Sequence, residues 1–168
     1  MALAAGLGAG ATRLVSGTFE TLAFEVMACA LALLVVVDLV DYRLPDAIVL
    51  RLYLVVPPLL ALQAASDGRW PDLGRALAGM AVLFVAYRVL SLVSPSGMGL
   101  GDVKLAGPLG ASMAWLGWSQ LFLGSLAAFA LFSVFALGTI VVRRSRRGDL
   151  PFGPWMVLGA ALGAALAA

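Results

Sequence analysis

The chain contains no histidine. That excludes serine–histidine–aspartate and cysteine–histidine nucleophilic catalysis, and any metal site built on imidazole. A single cysteine, Cys29, stands inside an apolar run, so neither a disulfide framework nor a thiolate zinc cluster can form within the chain. Charge is scarce as well. Only 12% of residues are charged against 62% hydrophobic, with a mean hydropathy of +1.04, whereas soluble chains average about 45–50% apolar. An ordinary soluble domain is thereby excluded. The net charge of +2 is too small to point to nucleic acid. Any acid–base chemistry has to come from nine carboxylates, one lysine and three tyrosines, and no cofactor or metal is expected.

What remains is long apolar segments. A bilayer asks for about 20 apolar residues per helix, and six stretches qualify as spans: 21–40, 47–65, 74–93, 103–117, 119–142 and 153–168. The expected fold class is all-α, a polytopic membrane protein of about six transmembrane helices. Residues 1–18 form a small, glycine-rich lead-in, with no basic residue ahead of its apolar run Ala2 to Ala11 and hence no signal-peptide signature. Residues 19–168 form the membrane-embedded domain. The fourth span is short, roughly 22 Å at about 1.5 Å per residue. A short span beside an irregular turn is tolerable only where the turn is buried in protein or lines a polar cavity. Pro57-Pro58 are expected to kink the second span, since proline removes a backbone donor and crowds the preceding turn.

Basic residues set the orientation. Arg143, Arg144, Arg146 and Arg147 fill the connector between spans five and six, which places it in the cytoplasm. Counting back, Arg43, Arg51, Arg88, Lys104 and those four lie inside, while Arg13, Arg69 and Arg75 lie outside. Trp70, Trp115 and Trp118 then fit an outer aromatic belt.

Two carboxylates stand out on the cytoplasmic side. Asp38 follows Leu33-Leu34-Val35-Val36-Val37, and Asp102 follows the turn Gly97-Met98-Gly99-Leu100-Gly101. A charged group at membrane depth costs a few kcal/mol, so such residues usually line a polar interior. The plain reading of Asp102 is a helix N-cap after a flexible loop; the plain reading of Asp38 and Asp41 is interfacial aspartates beside Arg43. Asp46, after Pro45, suits the cap of the next helix. The alternative is chemical. Two carboxylates brought face to face share a proton over a broad pH range, so one can serve as general base toward water and the other as general acid.

Three motifs carry a resemblance. Asp38-Leu-Val-Asp-Tyr-Arg-Leu-Pro-Asp46, Gly97-Met-Gly-Leu-Gly-Asp-Val-Lys-Leu105 and Pro151-Phe-Gly-Pro154 resemble, in order, those of the type 4 prepilin peptidases, aspartyl proteases of the GxGD class. The resemblance implies that Asp38 and Asp102 are the catalytic pair, with Gly97, Gly99, Gly101 and Lys104 in the active-site turn. It also implies that Pro45, Asp46, Pro151, Phe152, Gly153 and Pro154 border the site. The implied substrates are prepilin-like precursors, cut after a short basic leader at the cytoplasmic face of the inner membrane, with membrane lipid as the other partner. Longer members of that family carry an N-terminal region with paired cysteines associated with N-methylation. This sequence has no such region, so a peptidase-only form is expected, as in the tight-adherence pilus systems.

Lys104 is read as snorkelling to headgroups or biasing the charge of the aspartate pair. Pro151 to Pro154 could instead simply start the last helix. Competing classes are a proton-coupled transporter relaying ions through the aspartates, a catalytically silent membrane scaffold, and a presenilin-like GxGD protease. The last would want a tyrosine before the first aspartate, and Val37 stands there.

Overall fold

The computed structural model describes residues 17–41, 46–93, 99–143 and 152–166; for 38–41, 140–143 and 166 the description is of the backbone alone. Residues 1–16 of the 1–18 lead-in, the arginines from Arg144 to Arg147, and Pro45, Gly97 and Pro151 lie outside the described residues. The rest forms six helices, with no strand among the described residues. They are α1 (Thr18–Asp41), α2 (Asp46–Asp67), α3 (Trp70–Val93), α4 (Leu100–Leu116), α5 (Trp118–Arg143) and α6 (Gly153–Leu166). Stretches in α1, α2, α3 and α5 are long and apolar enough to cross a membrane. With α4 and α6 packed among them, the expected polytopic all-α architecture is what the chain adopts.

The helix that organises the others is α4. Every residue from Asp102 to Trp115 except Lys104 is buried, so no face of this helix looks outward for most of its length. A helix apolar all round belongs at the centre, and α4 packs against α2, α3, α5 and α6. Its shortness is the price of that place: at 17 residues it is roughly 25 Å long. On α2 the buried positions Val49, Leu52, Val56, Leu60 and Ala64 make one stripe at helical spacing. On α3 the stripe is Ala76, Gly79, Leu83, Tyr87 and Ser91. Leu54, Val93 and Val134 are among the most exposed side chains, as lipid-facing positions should be.

Lipid tails are as apolar as leucine, so helices in a bilayer gain little from hiding apolar surface and associate through close packing and polar contacts. Glycine supplies the close packing. A Cβ on Gly110 of α4 would stand 2.5 Å from the Gly79 carbonyl oxygen of α3 and 2.9 Å from Leu83 Cβ. A Cβ on Gly159 of α6 would lie 2.5 Å from both the Gly124 oxygen and the Ala128 nitrogen of α5, and one on Gly163 2.6 Å from Gly124 Cα. Backbone touches backbone at both crossings.

Pro57 and Pro58 sit inside α2, which continues through them to Asp67; the expected kink does not interrupt the helix. The α2–α3 turn is closed by Gly68 at φ 72°, a left-handed conformation that glycine adopts without steric cost.

Polar side chains secure the helix ends beside this turn. Gln63 Oε1 accepts from the free N–H groups of Phe19 and Glu20 at 3.0 and 3.2 Å, satisfying donors the first turn of α1 leaves over. Arg75 Nε and an NH2 nitrogen donate to the Ala114 and Trp115 carbonyls, 2.6 Å each, doing the same for the last turn of α4. Burial would lower the pKa of Arg69, but its hydrogen bond to Asp72 and the charges of Glu20 and Asp72 outweigh burial, and the guanidinium is held above its ordinary value.

Candidate active site

At the opposite end of the bundle α1 finishes, α2 begins, α3 finishes and α4 begins, because successive helices run antiparallel. Asp38 lies in the last turns of α1 and Asp102 in the first turn of α4, so both belong to this end. The N-cap of α4 is Gly99, extended at φ −68° and ψ 144° and making no side-chain cap bond. The plain expectation of Asp102 as N-cap is therefore corrected: Asp102 lies three positions inside. There its carboxylate meets the positive end of the helix dipole, and it is only 6% exposed. Side chains on a helix lean toward its N-terminus, and Asp102 Oδ2 accordingly hangs back over Gly99, where an added Cβ would stand 3.4 Å away. That is ordinary van der Waals contact, and the backbone angles of Gly99 are ones any residue can adopt. Gly101 lies within α4.

Two residues on, Lys104 Nζ donates to Asp46 Oδ2 at 2.7 Å. Lys104 is therefore not a free snorkelling cation: it clasps the first residue of α2 to the first turn of α4. A second clasp has its origin in sequence. Pro108 has no N–H, so the Lys104 carbonyl one turn earlier lacks its helical donor. The Tyr53 hydroxyl of α2 donates to that carbonyl at 2.7 Å. Gly107 makes the room, since a Cβ there would collide with the Tyr53 ring and hydroxyl.

Phe152 is 3% exposed and its backbone oxygen accepts from Trp155 and Met156 N–H, opening α6 with Pro154 in the first turn, where proline costs nothing. The plain reading of this motif as a helix start holds, but it is incomplete. The Phe152 ring packs on Phe129, Phe132 and Tyr87 with centroids 5.3, 5.0 and 6.0 Å apart. Tyr87, buried on α3, lies within electrostatic reach of Asp102. Phe152 thus packs on the tyrosine that feels the charge of Asp102, and Gly153, also buried, follows Phe152. Among the described residues no group of three histidine, cysteine, aspartate or glutamate side chains could hold a metal ion.

Sequence reasoning passed over Tyr53, Tyr87, Glu20 and Gln63. Each is a polar residue in an apolar helix, a signal that was present and unused. Trp115 is a correction. It is not part of an outer belt but fully buried, because its indole N–H donates to Glu20 Oε1 at 2.6 Å and Arg69 lies over its ring at 4.8 Å. Trp70 and Trp118 are exposed, as a belt requires.

An apolar bundle of antiparallel helices, four of them long and apolar enough to cross a bilayer, with a buried aspartate at the head of its central helix, defines an integral membrane protein. Residues 26–142 match the type IV leader peptidase family, and the chain belongs to that family. It is 34% identical over 146 residues to a prepilin leader peptidase/N-methyltransferase of Aeromonas salmonicida, covering 82% of this chain and 47% of that protein. Proteins of the same name from Pseudomonas putida and Escherichia coli K12 are 34% and 33% identical, covering 83% and 78% of this chain and 48% and 57% of theirs. The chain spans about half the length of these relatives. No solved structure matches it.

Proposed function

We propose that this chain is an aspartyl endopeptidase of the inner membrane that removes the basic leader from prepilin-like precursors at the cytoplasmic face. The observation that carries the reading is Asp102, a carboxylate buried in the first turn of the central helix, at the end of the bundle where the α1 backbone carries position 38. Family membership supports precursor processing, and the arginine distribution supports a cytoplasmic site. In the reaction one carboxylate takes a proton from water as its oxygen attacks the scissile carbonyl, while the other, protonated, donates to the carbonyl oxygen. The tetrahedral intermediate collapses with cleavage of the C–N bond, and the first group passes its proton to the departing amine. The second group regains a proton from a hydroxyl of the intermediate as the C=O bond re-forms, so the pair returns to its starting state. Gly99 and Gly101, without side chains, leave room for the substrate backbone beside Asp102.

The test is a precursor with a basic leader, co-expressed with each variant and scored for the shift to mature size. Asp38→Asn and Asp102→Asn each abolish cleavage, and the double variant is scarcely worse, because groups acting as one unit are non-additive. Normal processing by both single variants would refute the aspartyl mechanism.

A further inference from the structure

At the end of the bundle away from the aspartates, Glu20 is a carboxylate that the chemistry above does not use. It is 2% exposed, and both its oxygens are bonded. Oε1 accepts from Trp115 Nε1 at 2.6 Å, and Oε2 accepts from an NH1 nitrogen of Arg69 at 3.0 Å. Its own backbone N–H donates to Gln63 Oε1. One residue thereby joins α1, α2, the α2–α3 turn and α4. A buried carboxylate is costly to keep unless paired and hydrogen-bonded, and replacing such a network with apolar packing is often neutral or stabilising. Stability alone is a weak reason for its presence.

Its place in the topology suggests another reason. The two helices it joins, α1 and α4, are those that carry Asp38 and Asp102. Among the described residues they do not pack along their lengths: α1 lies against α2 and α6, and α4 against α2, α3, α5 and α6. Glu20 lies 18 residues before Asp38 and Trp115 13 residues after Asp102, roughly 27 and 20 Å along the helix axes. A helix is stiff along its axis, so a bond that fixes one end also fixes the height of the other.

We infer that Glu20, through Trp115, is a positioning residue that sets the axial register of the two aspartate-bearing helices. Arg69 holds the Glu20 carboxylate from one side while its guanidinium covers the Trp115 ring. Arg75 ties down the Ala114 and Trp115 carbonyls, so the indole cannot retreat from its acceptor. An axial slip of α1 against α4 would separate the carboxylates without unfolding either helix, and a misplacement of about 1 Å can cost about 100-fold in rate.

The inference rests on the peptidase reading, and the experiment separates the two. Purified full-length Glu20→Ala, Glu20→Gln and Trp115→Phe are assayed on a precursor with a basic leader. In a Cys29→Ser background, spin labels at the exposed positions Val36 and Leu100 report the separation of α1 and α4 at the aspartate end. Glu20→Ala lowers kcat per folded molecule by about 10- to 100-fold with KM within about twofold, and shifts or broadens the label distance. Glu20→Gln keeps an acceptor for the indole and stays within about threefold of wild type in kcat. Trp115→Phe keeps the ring but removes the donor and moves both readouts in the direction of Glu20→Ala. The Glu20→Ala, Trp115→Phe double variant is no worse than Glu20→Ala alone.

Unchanged kcat, or lowered kcat with superimposable label distances, would overturn the positioning role. If Glu20→Ala does not accumulate, Trp115→Phe decides the matter by the same two readouts. Should Asp38→Asn and Asp102→Asn both cleave normally, the aspartyl mechanism falls, while the label distances still test the register lock.

Discussion

Lys104 and Asp46 show how little a visible ion pair need contribute beside a residue that matters. The pair is short at 2.7 Å, but its side chains are 36% and 59% exposed, and an exposed pair is worth about 0–1 kcal/mol. Asp46→Asn and Lys104→Met are therefore expected to reduce leader cleavage by no more than about fivefold each. A double-mutant cycle on denaturant stability should give a coupling below about 1 kcal/mol. Loss of all activity in either variant would move that residue into the reacting centre. Asp102 differs from both in being buried, near the N-terminus of the same helix.

Among the helices, crossing distance is the quantity that holds the fold. Gly110→Ala puts a Cβ 2.5 Å from the Gly79 carbonyl and 2.9 Å from Leu83 Cβ, and backbone cannot swing aside as a long side chain can. A loss of about 1–3 kcal/mol is expected, read as a lower Tm in detergent and a lower yield. Gly74→Ala on α3 is the control, since nothing lies within 4 Å of the added carbon. There the gain in helix propensity, up to about 1 kcal/mol, is left over. Equal Tm values for the two variants would mean that the α3–α4 crossing is looser than described. The Pro108–Tyr53 clasp belongs to the same scale: a proline in the central helix frees a carbonyl, and a neighbouring helix supplies the donor.

For the molecule as a whole, the decisive question is which side of the membrane the aspartates face. On the proposed orientation the arginine-rich connector is cytoplasmic and the α2–α3 turn at Gly68 faces outward. A reporter active only in the cytoplasm is expected to work when inserted at Ser145 and to fail at Gly68. The reverse result would place Asp38 and Asp102 on the outer side and remove the proposed substrate leader from reach. The polar network around Glu20, Arg69, Asp72 and Arg75 would on the expected orientation lie near the outer surface, far from the reaction.

Much of this was legible before any coordinates. Missing histidine, scarce charge and long apolar runs lead to a helical membrane protein, because a bilayer admits few other solutions for backbone hydrogen bonding. The order of the motifs leads to the family, and the resemblance points to Asp38 and Asp102 as the pair to test. What the sequence could not decide was which apolar face meets lipid and which meets protein, since both are equally apolar and only packing distinguishes them. Trp115 therefore read as a belt residue although it is buried against Glu20. Lys104 read as snorkelling to headgroups or biasing the aspartate pair, and its ion pair with Asp46, 58 residues away in the chain, went unseen. Polar partners chosen across such separations follow from how the helices come together, and only the tertiary structure brings Glu20 to the far end of the helix that carries Asp102.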